Sequence, residues 1–299
     1  MDFRARTFRS RTPTLIPVCL LFCSLVCTAG QSRAGNPPGS SLYTDVTKQE
    51  EFLKTARIVK ARAAKGGVTG TTRATLRDGA FEHDVSIQCI DLRRTIYQTR
   101  DWTELNFKDS YKFNIAAYRL ARLLGLNNVP PSVERSYLGK KASFTWWIND
   151  VILDERQRQE RKIEPPDVVD WNQQIQIVRV FDHLIQNTDR NQGNLLITKD
   201  WKIWMIDHSR AFRTSQELKK TDALDRCDRR LLASLKRVEL QALKKELGRY
   251  LTGPEMTALL TRRDLIVKHF DRLGKAALYD LKRSGVHVDP SVAQAIVAE

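Results

Sequence analysis

The chain has 299 residues, 41% of them hydrophobic, which is enough for one domain of two lobes around a sizeable core and excludes a disordered protein. Its formal charge of +15 favours anionic partners such as nucleotides, acidic proteins and phospholipid surfaces. No alternation of aromatic and basic residues suggests a nucleic-acid groove, and five cysteines, three of them near the N-terminus, do not make a disulfide framework.

The N-terminus carries Arg4, Arg6, Arg9 and Arg11, then an apolar run from Leu15 to Val26, then Cys27-Thr28-Ala29. This is the pattern of an export signal over residues 1–30, cleaved or retained as an anchor; the apolar run is short for a membrane span, which favours cleavage. Its loss would remove four arginines and Asp2 and leave a charge of +12, with Cys89 and Cys227 as the remaining cysteines, for which two buried thiols are favoured over a single bridge. Residues 31–48 read as a flexible Gly, Pro and Ser linker.

A helical segment is expected from about 50 to 62. Gly66, Gly67 and Gly70 follow in a turn that opens a hairpin, Arg73 to Leu76 and Asp84 to Ile90, reversing at Asp78-Gly79. Glycines let backbone N–H groups approach phosphate closely, so this is where a nucleotide would be covered, although taken by itself the pattern is better explained by a plain hairpin with glycine turns. A second helix is predicted from Asp109 to Leu124, capped by Asp109 or Ser110 and closed by Gly125. Extended segments follow, Val133 to Ser136 and Ala142 to Ile148, joined at Gly139. The charged run Glu155 to Lys162 reads as a solvated face. Beyond Pro165-Pro166 the chain turns helical: Asp170, with Gln173 three positions on, caps a helix whose apolar stripe includes Trp171, Ile175, Val178, Phe181 and Ile185, with His183 as a packed or surface residue. Residues 229–247 and 254–284 read as further amphipathic helices.

Between them lies the most informative stretch. Asp189 and Asn194 stand five apart, the spacing of a D-x-x-x-x-N catalytic loop, and Asp207 follows a predicted hairpin of Leu195–Thr198 and Lys202–Ile206. An antiparallel hairpin brings the residue entering its first strand and the residue leaving its second to one open end, with Cβ atoms on the order of 5 Å apart. Asn194 and Asp207 are those residues. An amide oxygen and a carboxylate beside Asp189 form a hard oxygen site suited to Mg²⁺ or Mn²⁺ carrying the phosphates of ATP. A solvent-exposed Asn/Asp/Gly turn is the competing explanation, outweighed by the hydrophobic helix before the loop and the hairpin after it.

Phe181-Asp182-His183-Leu184-Ile185-Gln186-Asn187-Thr188-Asp189-Arg190 and Trp204 to Phe212, with Asn114 to Leu120 and Gly125 to Val133, resemble atypical kinases: the secretory-pathway Golgi casein kinase and Four-jointed group, type II phosphatidylinositol 4-kinases and HipA-like kinases. The resemblance implies an α+β, bilobal, protein-kinase-like fold, with a β-rich N-lobe carrying one helix over residues 49–152 and a mostly helical C-lobe over residues 153–299. It implies Asp189 as the catalytic aspartate, Asn194 and Asp207 as metal ligands, and Arg190 as either a loop salt bridge or a phosphate contact. The acceptor would be a hydroxyl on protein, phosphoinositide or sugar, met at an exported location or on an anionic membrane surface. Two departures stand out. Where the family pairs a lysine with a glutamate, this chain offers Gln88 and Asn114, an amide pair that can position phosphate without supplying positive charge. Activity is then weak, compensated by Lys65 or Arg73, or absent, which leaves a regulatory nucleotide-binding pseudokinase as the alternative and a lipid-binding scaffold as a third reading. Asp207-His208-Ser209 also lacks the glycine of the usual metal-binding triplet. An exported kinase needs a nucleotide supply, which a secretory lumen provides and a periplasm generally does not.

Overall fold

The structure is a computed structural model that describes residues 45–63, 70–98, 103–219 and 221–281. The expected signal segment, Lys65, Gly66 and Gly67 lie outside the described residues.

The N-terminal part is built on a five-stranded sheet in the order β1 (Arg57–Ala63), β2 (Thr72–Asp78), β3 (Phe81–Gln88), β7 (Lys140–Trp146) and β6 (Ser132–Tyr137), all antiparallel. Alternation in β2 and β3 sends Ala74, Leu76, Val85 and Ile87 to one face, where they pack with Phe52 and Leu53 of α1 (Val46–Thr55) and with Phe144. Arg73, Ser86 and Gln88 lie on the other. The turns at Gly79 and Gly139 take φ values of 57° and 76°, left-handed conformations that a β-carbon would disfavour. The segment expected as helix to residue 62 ends at Thr55 and continues as β1, because Ile58 to Ala63 pair with β2 and the β-branched Ile58 and Val59 suit an extended chain.

Two elements absent from the sequence reading are β4 (Asp91–Gln98) and β5 (Thr103–Ser110), an antiparallel hairpin inserted between β3 and α2 (Tyr111–Leu123). The Ser110 hydroxyl caps α2 by accepting from the Lys112 amide, and the helix buries Phe113, Ile115, Ala116, Ala117, Leu120 and Ala121. After a half-buried strand β8 (Val151–Asp154), which joins β9 (Leu195–Thr198) and β10 (Ile203–Met205) in a second sheet, the chain becomes helical. α3 (Glu155–Glu160) is more than a solvated face: Glu155 is buried and accepts from Arg158 and Gln159, and the Arg158 guanidinium lies 4.9 Å from the centre of the Trp171 ring.

α4 (Val168–Ile185) starts three residues earlier than expected. Its cap is Asp167, which accepts from the Val169 and Asp170 amides at 2.9 Å, and Asp170 instead receives the Gln174 side chain. Trp171, Val178, Phe181 and Ile185 face the main core as the periodicity predicts, while Ile175 is partly buried against it. The C-terminal helices are α5 (Arg229–Arg237), α6 (Leu240–Leu247) and α7 (Gly253–Leu273), and α7 ends at Gly274 instead of running on to residue 284. Downstream, β12 (Leu278–Tyr279) pairs in parallel with β11 (Cys227–Asp228). Cys227 is buried and Cys89 half-buried, and both are free. Among the described residues no helix is long and apolar enough to cross a membrane.

Ionic contacts tie the two parts together. Arg119 on α2 reaches Glu246 on α6 at 3.0 Å, and Lys108 on β5 donates at 2.6 Å to Glu255, a fully buried carboxylate at the start of α7. Phe181 fills the core beneath the loop that follows α4. Its replacement by alanine is expected to remove about 3–5 kcal/mol of stability in urea denaturation, the cost of a large aromatic cavity.

Candidate active site

α4 delivers the loop at a sharp stop. Gln186 takes a left-handed backbone, φ 48°, and the buried Arg262 of α7 holds that corner by donating to Leu184 O at 2.8 Å and to the Gln186 side chain at 3.3 Å. Asn187 Oδ1 then accepts from the Asp189 amide, and Asn191 Oδ1 from the Gly193 amide, so local side chains shape the loop. A β-carbon on Gly193 would lie 3.1 Å from both Arg156 Nη2 and Asn191 Oδ1, so glycine suits that crowded position.

Arg190 fixes the loop to everything around it. Its Nε and Nη2 donate to both carboxylate oxygens of Asp182 on α4, at 2.8 and 3.0 Å, and its Nη1 donates to Asn194 O at 3.1 Å and to Ile206 O at 2.7 Å. Its part is that of a brace, since four bonds commit the planar fork to protein atoms. The hairpin register is the predicted one: Met205 pairs with Leu195, and the Ile206 amide donates to Asn194 O at 3.1 Å. Asn194 and Asp207 thus sit at the open end.

The Asp207-His208-Ser209 triplet is pinned from several sides. Asp207 has φ 52°, a left-handed conformation that costs a non-glycine residue about 1–2 kcal/mol. The His208 amide donates to Asn114 Oδ1 at 2.7 Å, the Ser110 amide donates to Ser209 O at 2.8 Å, and Phe212 N donates to Ile185 O. Ser209 is not among the positive-φ residues, so its backbone has no need of the missing glycine. Asn114 Nδ2 also donates to Gln88 Oε1, and the amide pair expected from the sequence therefore exists and extends to the triplet. His208 is buried and edge-on to Phe181, and burial, reinforced by the charge of Arg190, holds its pKa well below the ordinary value.

Arg73, the candidate compensating cation, is engaged with protein partners. It forms an ion pair with Asp84 at 2.6 Å and lies 4.1 Å above the Trp147 ring, on the sheet face that carries Gln88 but toward the strand end at Trp147. Gly70, with φ 68°, is the one described glycine of the expected phosphate turn. Among the described residues His183 bonds locally, to Arg179 O.

The inserted hairpin supplies what sequence reading missed. Glu104 accepts from Arg210 at 2.8 Å and pairs with Arg213 at 2.5 Å, Phe107 lies beneath both guanidinium groups, and Arg210 Nη1 stands 3.3 Å from Asp189 Oδ1. Asp109 is buried. Burial, and next to it the charges of Asp207 and Asp189, raise its carboxyl pKa against the opposing Ser209 hydroxyl and Arg210 guanidinium. The carboxylates of Asp109, Asp189 and Asp207 thus lie within electrostatic reach of one another, an arrangement that fits a cation. Among the described residues no three His, Cys, Asp or Glu side chains form a ready-made metal cage. A Mg²⁺-type ion needs none, because it takes one or two carboxylates and fills its shell with waters and phosphate oxygens. Two hollows, of about 350 Å³ beside Gln176 and Tyr279 and about 480 Å³ beside Trp146, Lys202 and Trp204, lie away from Asp189 and Asp207.

The fold is kinase-like. Among solved structures, that of hydra Fam20 with sugar superposes with a TM-score of 0.60 at 17% identity, covering 80% of this chain and 93% of that one. The Helicobacter pylori proinflammatory kinase CtkA gives a TM-score of 0.45 at 12% identity over 73% of this chain and 96% of that one. No family model and no curated protein sequence matches the chain.

Replacing Asp182 with asparagine strands Arg190 in a half-buried position and is expected to cost about 3 kcal/mol in denaturant unfolding, with loss of any nucleotide-dependent stabilisation. Two histidines set an acid limit. His83, stacked on Trp146 and donating to Trp147 O, has its pKa pushed down by burial to about 4. Below pH 6.5 the unfolded chain takes up protons that native His83 and His208 refuse. Their contribution is complete above that pH and is lost on acidification, by up to about 1.4 kcal/mol per pH unit for each. Melting temperatures between pH 7 and pH 4 should fall less steeply in a His83→Gln variant.

Proposed function

We propose that the chain is an ATP- and divalent-metal-dependent phosphotransferase of the kinase type, acting on a hydroxyl acceptor in the compartment to which its N-terminal segment directs it. One observation carries this reading: the Arg190 brace holds the loop with Asp189 and Asn194 against the strand that presents Asp207. Asp189 would accept the proton of the acceptor hydroxyl as its oxygen bonds to the γ-phosphorus and the bond to the leaving diphosphate breaks. Arg210, 3.3 Å away, orients that carboxylate. Asn194 and Asp207 are the residues suited to hold Mg²⁺ or Mn²⁺, whose contribution is to neutralise phosphate charge. Gly70 stands at the edge of the expected phosphate turn, and Gln88, linked to Asn114, would orient phosphate by hydrogen bonding. The kinase-like fold supports the reaction class, and the sugar in the Fam20 structure supports a glycan hydroxyl among the acceptors, beside protein and phosphoinositide. Export is supported by the sequence pattern of residues 1–30.

The neutral Gln88–Asn114 pair favours a second reading, a nucleotide-binding pseudokinase that regulates a partner protein, because electrostatic stabilisation is the larger part of phosphoryl transfer. The readings separate in two measurements on the full chain. ATP with Mn²⁺ should raise the melting temperature, by mass action on the folded state, and Asp207→Ala should abolish that rise. Labelled phosphate should reach a hydroxyl acceptor with the wild type and fall at least about 100-fold with Asp189→Ala. Binding without any transfer would select the pseudokinase; no binding at any metal or nucleotide concentration would exclude both.

A further inference from the structure

Asp109 is the penultimate residue of β5, immediately before the Ser110 cap of α2, and it is 4% exposed. Two links join this corner to the triplet that bears Asp207. The Ser110 amide donates to Ser209 O at 2.8 Å, and the Ser209 side chain lies beside the Asp109 carboxyl, where it favours the charged form. Asp109 Oδ1 is buried and has no hydrogen-bond partner among the described residues. A carboxylate oxygen withdrawn from water and left unbonded carries a penalty of a few kcal/mol, and this one lies in the field of two further carboxylates, Asp207 and Asp189. A packing role accounts for none of this, since an asparagine or a serine could hold Ser209 without adding charge.

Resting on the phosphotransferase reading above, we infer that Asp109 is an outer-sphere acceptor for the hydrated divalent cation held by Asp207: Oδ1 takes a hydrogen bond from a water on the metal. Direct ligation is not required, which agrees with the absence of a three-acid cage among the described residues. Mg²⁺ and Mn²⁺ keep several of their waters in such sites, and those waters need acceptors. Such partners typically change metal affinity 10- to 100-fold. The inserted hairpin then has a function in this molecule: it carries a carboxylate into the cation site from the N-terminal part. Asp109 is thereby a positioning residue, acting on phosphate only through water and metal.

The test reads metal affinity without turnover. Mn²⁺ binding to the full chain, with a non-hydrolysable ATP analogue present, is followed by the loss of its free-ion electron paramagnetic resonance signal. Asp109→Asn should raise the Kd about tenfold or more, while its melting temperature without metal stays the same or rises, because a buried charge has gone. Asp207→Asn should abolish binding. An unchanged Kd in Asp109→Asn beside abolished binding in Asp207→Asn overturns the role of Asp109 and leaves the phosphotransferase reading standing. No Mn²⁺ binding by the wild type overturns both. Should Asp109→Asn not fold, water-proton relaxation of the wild-type Mn²⁺ complex decides: exchangeable water on the metal upholds the outer-sphere role, and a metal with none overturns it.

Discussion

The double contact between Arg190 and Asp182 is the constraint on which the site depends. A helix, a loop and a hairpin meet there, the helix offering a carboxylate and the loop and hairpin offering backbone carbonyls. The guanidinium answers this by placing two N–H groups on a helix carboxylate and aiming a third at the carbonyls of Asn194 and Ile206. A lysine could neutralise Asp182 but could not span three elements in one plane. The Asp189–Asn194 spacing becomes a spatial arrangement only because the arginine between them is immobilised on both sides.

A second layer of control comes from the inserted β4–β5 hairpin. Through Glu104 it orders two arginines beside Asp189, through Lys108 it docks on α7, and through Asp109 it approaches the triplet that bears Asp207. The loop and triplet thus have charged neighbours from both parts of the protein. Near Gln88 the chemistry is different: Gln88, Asn114 and the His208 amide form a neutral chain of hydrogen bonds that orients without attracting.

Much of this was legible in the sequence. The D-x-x-x-x-N spacing, the hairpin after it and the register that brings Asn194 and Asp207 to its open end follow from local rules, and so does α2 between its serine cap and Gly125. The inserted hairpin was not legible. Arg93, Arg94, Gln98 and Lys108 break the apolar alternation, Thr99 to Trp102 contain no Gly, Pro or Asn, and the strands are stabilised by contacts far along the chain. Asp109 was recognised only as a helix cap, because burial among other carboxylates leaves no local trace. The segment after α1 misled in another way: residues 56–62 alternate basic and apolar side chains in a pattern compatible with helix, and only pairing with β2 decides for strand.

The amide link from Asn114 to Gln88 has a consequence for environment. A lysine–glutamate contact weakens as ionic strength rises and fails when acid protonates the glutamate, whereas two carboxamides neither titrate nor attract counterions. At low pH or high ionic strength, where the ionic version of this contact would be eroded, the connection between sheet and helix in this protein keeps its full strength.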